Sequence, residues 1–189
     1  MDQYLQSSTY IDWKHSAVSA KAAELSGGSA LDVAKRCFEF VRDEVSHSWD
    51  SRRNPVTCKA SDVLHYGTGY CYAKSHLLAA LLRANGIPAG LCYQRLVLEP
   101  GGAQYSLHGL NALYLPPHGW YRVDPRGNKP GVSAQFSPPI ERLAFAVGEA
   151  GERDFDSVLA EPLPVVINAL TRYKTIEEVA EHLPDLDAM

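Results

Sequence analysis

The sequence predicts an α+β fold in a single domain that spans residues 1–189. Apolar residues recur at helical spacing through the first half, strand-forming residues dominate 89–123, and the Pro-Pro-His-Gly run at 116–119 is a hairpin signal. Helices that precede hairpin-connected strands are typical of the α+β class. No internal repeat, low-complexity segment or change in composition indicates a second domain.

Two helices are predicted before residue 46. The first runs from His15 to Leu25 and ends at Gly27-Gly28. Ser29 is the expected N-cap of the second helix, because its hydroxyl can accept a hydrogen bond from a backbone N–H of the first turn. We expect the apolar positions of this second helix to face the core, namely Leu31, Ala34, Phe38, Val41 and Val45.

The clearest predicted element is a helix from Cys71 to Asn85. Before it, the polar residues 46–59 predict a loop, and Ser61 is expected to cap a short helix that Gly67 ends. Gly86 follows Asn85 and suits the left-handed conformation found just past a helix. A broad apolar face predicts that the helix is deeply buried, and it is formed by Ala73, Leu77, Leu78, Ala80, Leu81, Leu82 and Ala84.

Strands and two short helices are predicted in the second half. Strand-forming runs occupy 89–98, 107–115, 120–123 and 142–147. A helix is predicted over 164–172, and Thr175 with Glu178 forms a capping-box pattern that begins a last helix. No motif assigns a role to 128–189, which we expect either to close one side of a cleft or to form a partner surface.

Composition narrows the classes of partner. The 189 residues carry a net charge of −4, and no Lys/Arg run exceeds two residues, so we expect no nucleic-acid and no membrane partner. No apolar run approaches the ~18 residues of a membrane-spanning helix. The first 13 residues lack a basic start followed by an apolar stretch, which predicts a cytoplasmic protein.

The four cysteines predict free thiols. No Cys-x-x-Cys pair or other closely spaced ligand set is present, so we expect no zinc site, and no acidic loop indicates a calcium site. Cys37 lies in a predicted helix interior and Cys92 on a predicted strand, where cysteine usually serves as a small packed apolar residue. Cys58 lies in the predicted loop before the short helix. Because we expect a cytosolic protein, we expect all four cysteines to be reduced.

Cys71 is the candidate nucleophile. It follows Gly67-Thr68-Gly69-Tyr70 and opens its helix, so its sulfur lies beside unpaired backbone N–H groups and the positive end of the helix dipole, which favour the thiolate. The alternative is a buried cysteine without chemistry. Two glycines before the sulfur and a histidine and an aspartate on later strands favour the nucleophile.

His108 is the candidate base, and Asp124 is the candidate acid that orients it. They lie on two strands predicted to be neighbours, so Asp124 can accept the second ring N–H of His108. The alternative for Asp124 is a turn-forming residue before proline. The remaining histidines are less suited. His15 is near the chain start, His76 lies on the far side of the helix, and His118 and His182 are expected to be exposed. The sequence identifies no acidic partner for His47 or His65.

The hairpin register tests this pair. Residues directly opposite in an antiparallel pair share a face, so His108 and Asp124 share one only when paired residue numbers have an even sum. We predict Tyr114 opposite Trp120 and Asp124 opposite Leu110, with an odd-length connection from Leu115 to Gly119. Leu115 opposite Trp120 would separate the two side chains.

Stabilising the negative oxygen of the reaction intermediate needs at least two hydrogen-bond donors directed at it. The backbone N–H of Cys71 is the first candidate and the indole N–H of Trp49 is the second, although Trp49 is equally suited to anchor its loop. His65 is a weaker candidate. Lys74 lies roughly on the face of Cys71 and can favour the thiolate, but a solvated lysine is the preferred interpretation.

Three stretches together resemble the transglutaminase-like superfamily, within the papain-like fold. They are 69–89, 108–115 and 119–125, and 38–45 resembles the lead-in helix of that family, so the recognisable core spans about residues 35–127. The resemblance implies a central helix with nucleophilic Cys71, packed on an antiparallel sheet with base His108 and orienting Asp124. Departures are Tyr72 and Lys74 after the cysteine, and Gly109-Leu110 after the histidine.

We expect a cysteine-dependent acyl-transfer enzyme that hydrolyses an amide or peptide bond through a thioester, without a cofactor. Its substrate would be a peptide, a protein or a small amide. One alternative is transamidation, in which an amine replaces water. The other is a noncatalytic binding domain, against which the intact Cys71, His108 and Asp124 argue.

Overall fold

The computed structural model describes residues 1–188. A 3₁₀ turn (Asp2–Leu5) precedes the first helix, and a π-helical turn (Phe40–Glu44) continues the second. The helices are α1 (Ser16–Glu24), α2 (Ala30–Glu39), α3 (Ser48–Ser51), α4 (Ala60–Tyr66), α5 (Cys71–Ala84), α6 (Pro164–Arg172) and α7 (Ile176–Glu181). The strands are β1 (Ser46–His47), β2 (Thr68–Gly69), β3 (Ala89–Val97), β4 (Tyr105–Leu115), β5 (Gly119–Val123) and β6 (Arg153–Asp154).

Helix α5 is the centre of an α+β fold, as predicted. It packs against β3 and β4 on one side and against α1, α2 and α4 on the others, so its residues from Cys71 to Arg83 are all buried. Strands β5, β4, β3 and β6 form an antiparallel sheet in that order, and β1 pairs in parallel with β2 just before α5. The apolar residues on several faces of α5 are therefore needed, since the helix has neighbours on all sides.

The helix boundaries follow the predicted capping chemistry with one exception. Ser29 and Asp32 form a reciprocal capping box at α2, and Gly67 and Gly86 adopt positive φ at the ends of α4 and α5. Ser61 does not cap α4, which begins at Ala60; instead its hydroxyl donates a hydrogen bond to Asp12.

Three further predictions about side chains and segments are wrong. Leu31 is 42% exposed, because it lies in the first turn of α2 on the side away from the core. The segment 142–147 is not a strand, and only Arg142 forms an isolated bridge, to Gln135. The predicted loop 46–59 contains β1 and α3.

The β4–β5 hairpin has the predicted register. Tyr114 lies opposite Trp120 as predicted. Leu115 also pairs with Gly119, so the connection has three residues, which is odd as predicted but shorter than the predicted five. This even-sum register continues to Asn111 opposite Val123. It therefore brings the end of β5 to the side of β4 that carries His108.

The C-terminal third is tied to the core beside α5. The Tyr70 hydroxyl donates to the carbonyl oxygen of Ile176, and the Leu107 N–H donates to that of Pro184. The predicted helix over 164–172 is confirmed as α6, and Thr175 forms the predicted capping box at α7. Across residues 1–188, no helix has the length and apolar character needed to cross a membrane.

Candidate active site

Cys71 is the first residue of α5 and lines a cavity of about 930 Å³. Its side chain is nearly buried, and the N–H of Gly109 on β4 points at Sγ from 3.5 Å. The amides of the first helical turn lie beside the same sulfur. The helix terminus and the strand amide thus both place partial positive charge next to Sγ.

Gly109 allows β4 to approach the start of α5. A Cβ atom at this position would lie 2.9 Å from Cδ1, 3.0 Å from Cα and 3.2 Å from N of Tyr72. Two of these three atoms are backbone atoms of α5, which cannot move aside as a flexible side chain can. The glycine after His108, a departure from the family pattern, is therefore required by packing in this chain.

His108 and Asp124 form a buried pair beside Cys71. Nε2 of His108 lies 2.7 Å from Oδ2 of Asp124, and the carboxylate also accepts the backbone N–H groups of Arg126 and Ala144, each at 3.1 Å. These three donors leave the carboxylate no freedom to rotate. The structure thus brings together the three residues that the sequence singled out.

Charge stabilises this pair in its ionised form. Burial alone would lower the pKa of His108, but the negative charges of Asp124 and Cys71 and hydrogen bonds to both raise it to about 10. Burial likewise favours the neutral carboxyl of Asp124, yet the charge and hydrogen bond of His108 outweigh it and lower the pKa of Asp124. Both shifts favour an imidazolium beside a carboxylate.

The segment 142–147 covers the histidine. The ring of Phe145 meets His108 edge-on, with centroids 5.0 Å apart and an interplanar angle of 90°. Its neighbour Ala144 donates the hydrogen bond to Asp124 described above. This segment is irregular because its backbone follows the side chains of the site rather than the edge of the sheet.

Trp49 lies on α3 and lines the cavity that contains Cys71. Its ring is partly buried and carries the guanidinium of Arg52 on one face, at 3.6 Å from the ring centroid. The position suits both interpretations given above, and the oxyanion role stays a prediction. His65 is exposed on α4 and does not line this cavity.

Lys74 is not a solvated lysine. Its side chain is fully buried, and Nζ donates to the carbonyl oxygens of Val45 and, at 3.4 Å, Arg42. Burial, followed by the positive charge of Arg126, lowers the pKa of Lys74 to about 7, although Asp124 acts in the opposite direction. The prediction was wrong because the carbonyls at the end of the π-helical turn, distant in sequence, provide hydrogen-bond acceptors inside the core.

His47 and Asp50 were missed as a pair. His47 lines the cavity, and its Nδ1 lies 3.5 Å from Oδ2 of Asp50, three residues later. The histidine ends β1 and the aspartate belongs to α3, so a tight turn joins them. Their spacing in His47-Ser48-Trp49-Asp50 was a detectable signal, but the short helix that makes it meaningful lies in a segment predicted to be a loop.

The walls of the cavity come from three parts of the chain. Residues 96–99 and 102–104 at the β3–β4 connection form one wall, and residues 144–146 form another. Ala180 and Leu183, at and after α7, contribute to the third. The C-terminal third thus helps to close the cleft, which was one of the two roles expected for 128–189.

Within residues 1–188, no group of three or more His, Cys, Asp and Glu side chains is arranged to hold a metal ion. The four cysteines are free thiols. Burial raises the pKa of Cys37, Cys58 and Cys92 to about 12 each, which keeps these thiols protonated and unreactive.

The fold and site define a class of α+β proteins in which a cysteine at a helix N-terminus meets a His–Asp pair on an antiparallel sheet. The family model of the transglutaminase-like superfamily matches residues 19–125, more than half of the chain. The protein belongs to this superfamily. No curated protein is significantly similar to the chain.

Solved structures with a similar fold include a putative cysteine protease from Cytophaga hutchinsonii. It is 18% identical with a TM-score of 0.50, over 65% of this chain and 40% of that one. The periplasmic domain of TgpA from Pseudomonas aeruginosa is 24% identical with a TM-score of 0.49, over 65% and 45% of the two chains. The chain thus spans less than half the length of these two structures, and the likeness to the Cytophaga hutchinsonii protein concerns the fold alone.

Proposed function

We propose that this protein is a cysteine-dependent acyl-transfer enzyme that hydrolyses amide or peptide bonds. Cys71 is the nucleophile, His108 the general base and acid, and Asp124 the group that orients and charges the histidine. The observation that supports this most strongly is the 2.7 Å contact from Nε2 of His108 to Asp124, which leaves the other ring nitrogen for Cys71 in the same cleft.

In the first half of the reaction the Cys71 thiolate attacks the substrate carbonyl carbon, and the carbonyl oxygen becomes negative. The backbone N–H of Cys71 and the indole N–H of Trp49 are the proposed donors to this oxygen. The imidazolium of His108 then gives its proton to the leaving nitrogen, the C–N bond breaks, and the acyl group remains on sulfur as a thioester.

In the second half, water attacks the thioester carbon while His108 takes a proton from it. The C–S bond breaks, the acid leaves, and the ion pair of Cys71 and His108 is restored. An amine can follow the same route in place of water, which would make the enzyme a transamidase. We propose hydrolysis as the main outcome because water has access to any thioester in a cleft that is connected to solvent.

The volume and lining of the cleft suit a peptide substrate. About 930 Å³ of space adjoins Cys71, and apolar residues such as Leu96, Leu107 and Leu183 lie along it. A peptide segment or a protein side chain with its neighbours fits such a volume. The proposed chemistry needs no metal and no organic cofactor.

The test is a product-mass assay on glutamine-containing peptides, isopeptides and small amides, with and without methylamine. We expect Cys71→Ala to abolish product formation and Cys92→Ala, a buried cysteine on β3, to retain it. A mass gain equal to methylamine minus ammonia on a glutamine peptide would identify transamidation. Equal activity of Cys71→Ala and the wild type would overturn the proposal.

A further inference from the structure

His47 reaches the cleft from a different element than His108. It ends β1, where it lies opposite Gly69 of β2, two residues before Cys71. Its ring packs edge-on against Tyr70, with centroids 5.7 Å apart. Strand pairing and ring packing together fix this imidazole in the wall of the cavity that also contains Cys71, whereas His108 arrives from β4.

One ring nitrogen of His47 is buried without a partner. Among the described residues, none forms a hydrogen bond with Nδ1, and its nearest carboxylate oxygen is Oδ2 of Asp50 at 3.5 Å. A contraction of about half an ångström makes this contact a hydrogen bond. A carboxylate beside Nδ1 favours the tautomer with the proton on Nδ1, which leaves the lone pair on Nε2. Since His47 lines the cleft, Nε2 is then the ring nitrogen available to accept a hydrogen bond there.

Asp50 is held firmly enough to impose this tautomer. Oδ2 lies 2.8 Å from the guanidinium of Arg126, and Oδ1 lies 2.8 Å from Nζ of Lys129. The N–H of Arg126 is also a donor to Asp124, so one residue supports both carboxylates. Burial, followed by the charge of Arg126, lowers the pKa of His47 to about 3, so the ring is neutral.

We propose that His47 accepts a hydrogen bond at Nε2 from the attacking water or amine and so positions it for the deacylation step. This inference rests on the acyl-transfer function proposed above. The nucleophile carries at least two hydrogens. His108 removes one of them as the C–O or C–N bond forms. The other hydrogen stays on the nucleophile and forms the hydrogen bond to Nε2 of His47. His47 itself gains no proton, and Asp50 acts through it.

Acylation and deacylation must be measured separately to test this role. The probe is p-nitrophenyl acetate, with formation and decay of the acetyl-enzyme followed by rapid-quench intact mass. We expect His47→Ala to form the acetyl-enzyme at nearly the wild-type rate. Its decay should be slower by about tenfold or more, because one hydrogen bond that positions the nucleophile in the transition state is lost. His47→Gln, which keeps a polar acceptor near Nε2, should recover part of the decay rate.

His118→Ala is the matched control, since this exposed histidine lies in the β4–β5 connection away from the cleft. The proposal is overturned when formation and decay slow equally in His47→Ala, when neither changes, or when the glutamine variant decays as slowly as the alanine variant. Failure of the general function looks different, because the wild type would then form no acetyl adduct or Cys71→Ala would form the same one.

Discussion

Asp124→Asn changes one oxygen of the buried carboxylate into an NH₂ group, and no orientation of the new amide satisfies all of its neighbours. Oδ1 accepts the N–H of Arg126, while Oδ2 accepts both His108 and the N–H of Ala144. An NH₂ at the Oδ1 position opposes the N–H of Arg126. An NH₂ at the Oδ2 position opposes that of Ala144 and forces His108 to present a lone pair.

The expected losses of stability and of rate follow from these unsatisfied hydrogen bonds. Either orientation leaves one buried backbone N–H unpaired, which costs about 1–3 kcal/mol of stability. In the second orientation the proton of His108 moves to the nitrogen near Cys71, so the histidine can no longer act as the base. In the first orientation the base survives, but the charge that stabilises the imidazolium is lost. We expect a fall in rate of about 10³–10⁴.

The assay combines urea unfolding at neutral pH with hydrolysis of p-nitrophenyl acetate. Asp156→Asn is the matched control, because Asp156 is exposed and its change should alter neither quantity. A rate for Asp124→Asn within tenfold of the wild type, in protein shown to be folded, would refute the orienting role. An unchanged free energy of unfolding would refute the hydrogen-bond argument.

Two further predictions concern packing and buried charge. Gly109→Ala should lower stability by about 1–3 kcal/mol and slow alkylation of Cys71, because the new methyl group meets backbone atoms of Tyr72. Gly148→Ala, with open space at its Cβ, is the control, and equal unfolding midpoints would contradict the argument. Lys74 has a folded-state pKa of about 7, below the ordinary 10.5, so its contribution to stability is greatest above 10.5 and is lost as pH falls towards 7. The free energy of unfolding of the wild type minus that of Lys74→Met should therefore rise between pH 7 and 10, by at most about 1.4 kcal/mol per pH unit, and a flat difference in urea titrations would contradict it.

The β4–β5 hairpin could be predicted from local sequence patterns. Strand-forming runs on both sides of a Pro-rich turn located β4 and β5, and the parity of paired residue numbers fixed the register that puts His108 and Asp124 together. The boundaries of α5 followed in the same way from Cys71 and Gly86. These features depend on interactions between residues close in sequence, which is why they were predictable.

The features that were missed depend on contacts between distant segments. The buried environment of Lys74 is made by carbonyls about thirty residues earlier. The segment 142–147 looked like a strand by composition, but a hydrogen bond to Asp124 and packing on His108 determine its path. The pair of His47 and Asp50 required the short elements β1 and α3, which are too brief for periodicity to reveal.

The central claim is that Cys71 is a thiolate nucleophile supported by His108. The most direct measurement is the rate of iodoacetamide alkylation at pH 6, located by peptide mass spectrometry, in the wild type and in His108→Ala. Cys37, Cys58 and Cys92 are internal controls, since burial keeps them protonated. We predict selective alkylation of Cys71, faster than a free cysteine, which has a pKa of about 8.5, and a decrease of at least about tenfold in His108→Ala. Ordinary thiol reactivity at Cys71 that is unchanged by His108→Ala would contradict the account.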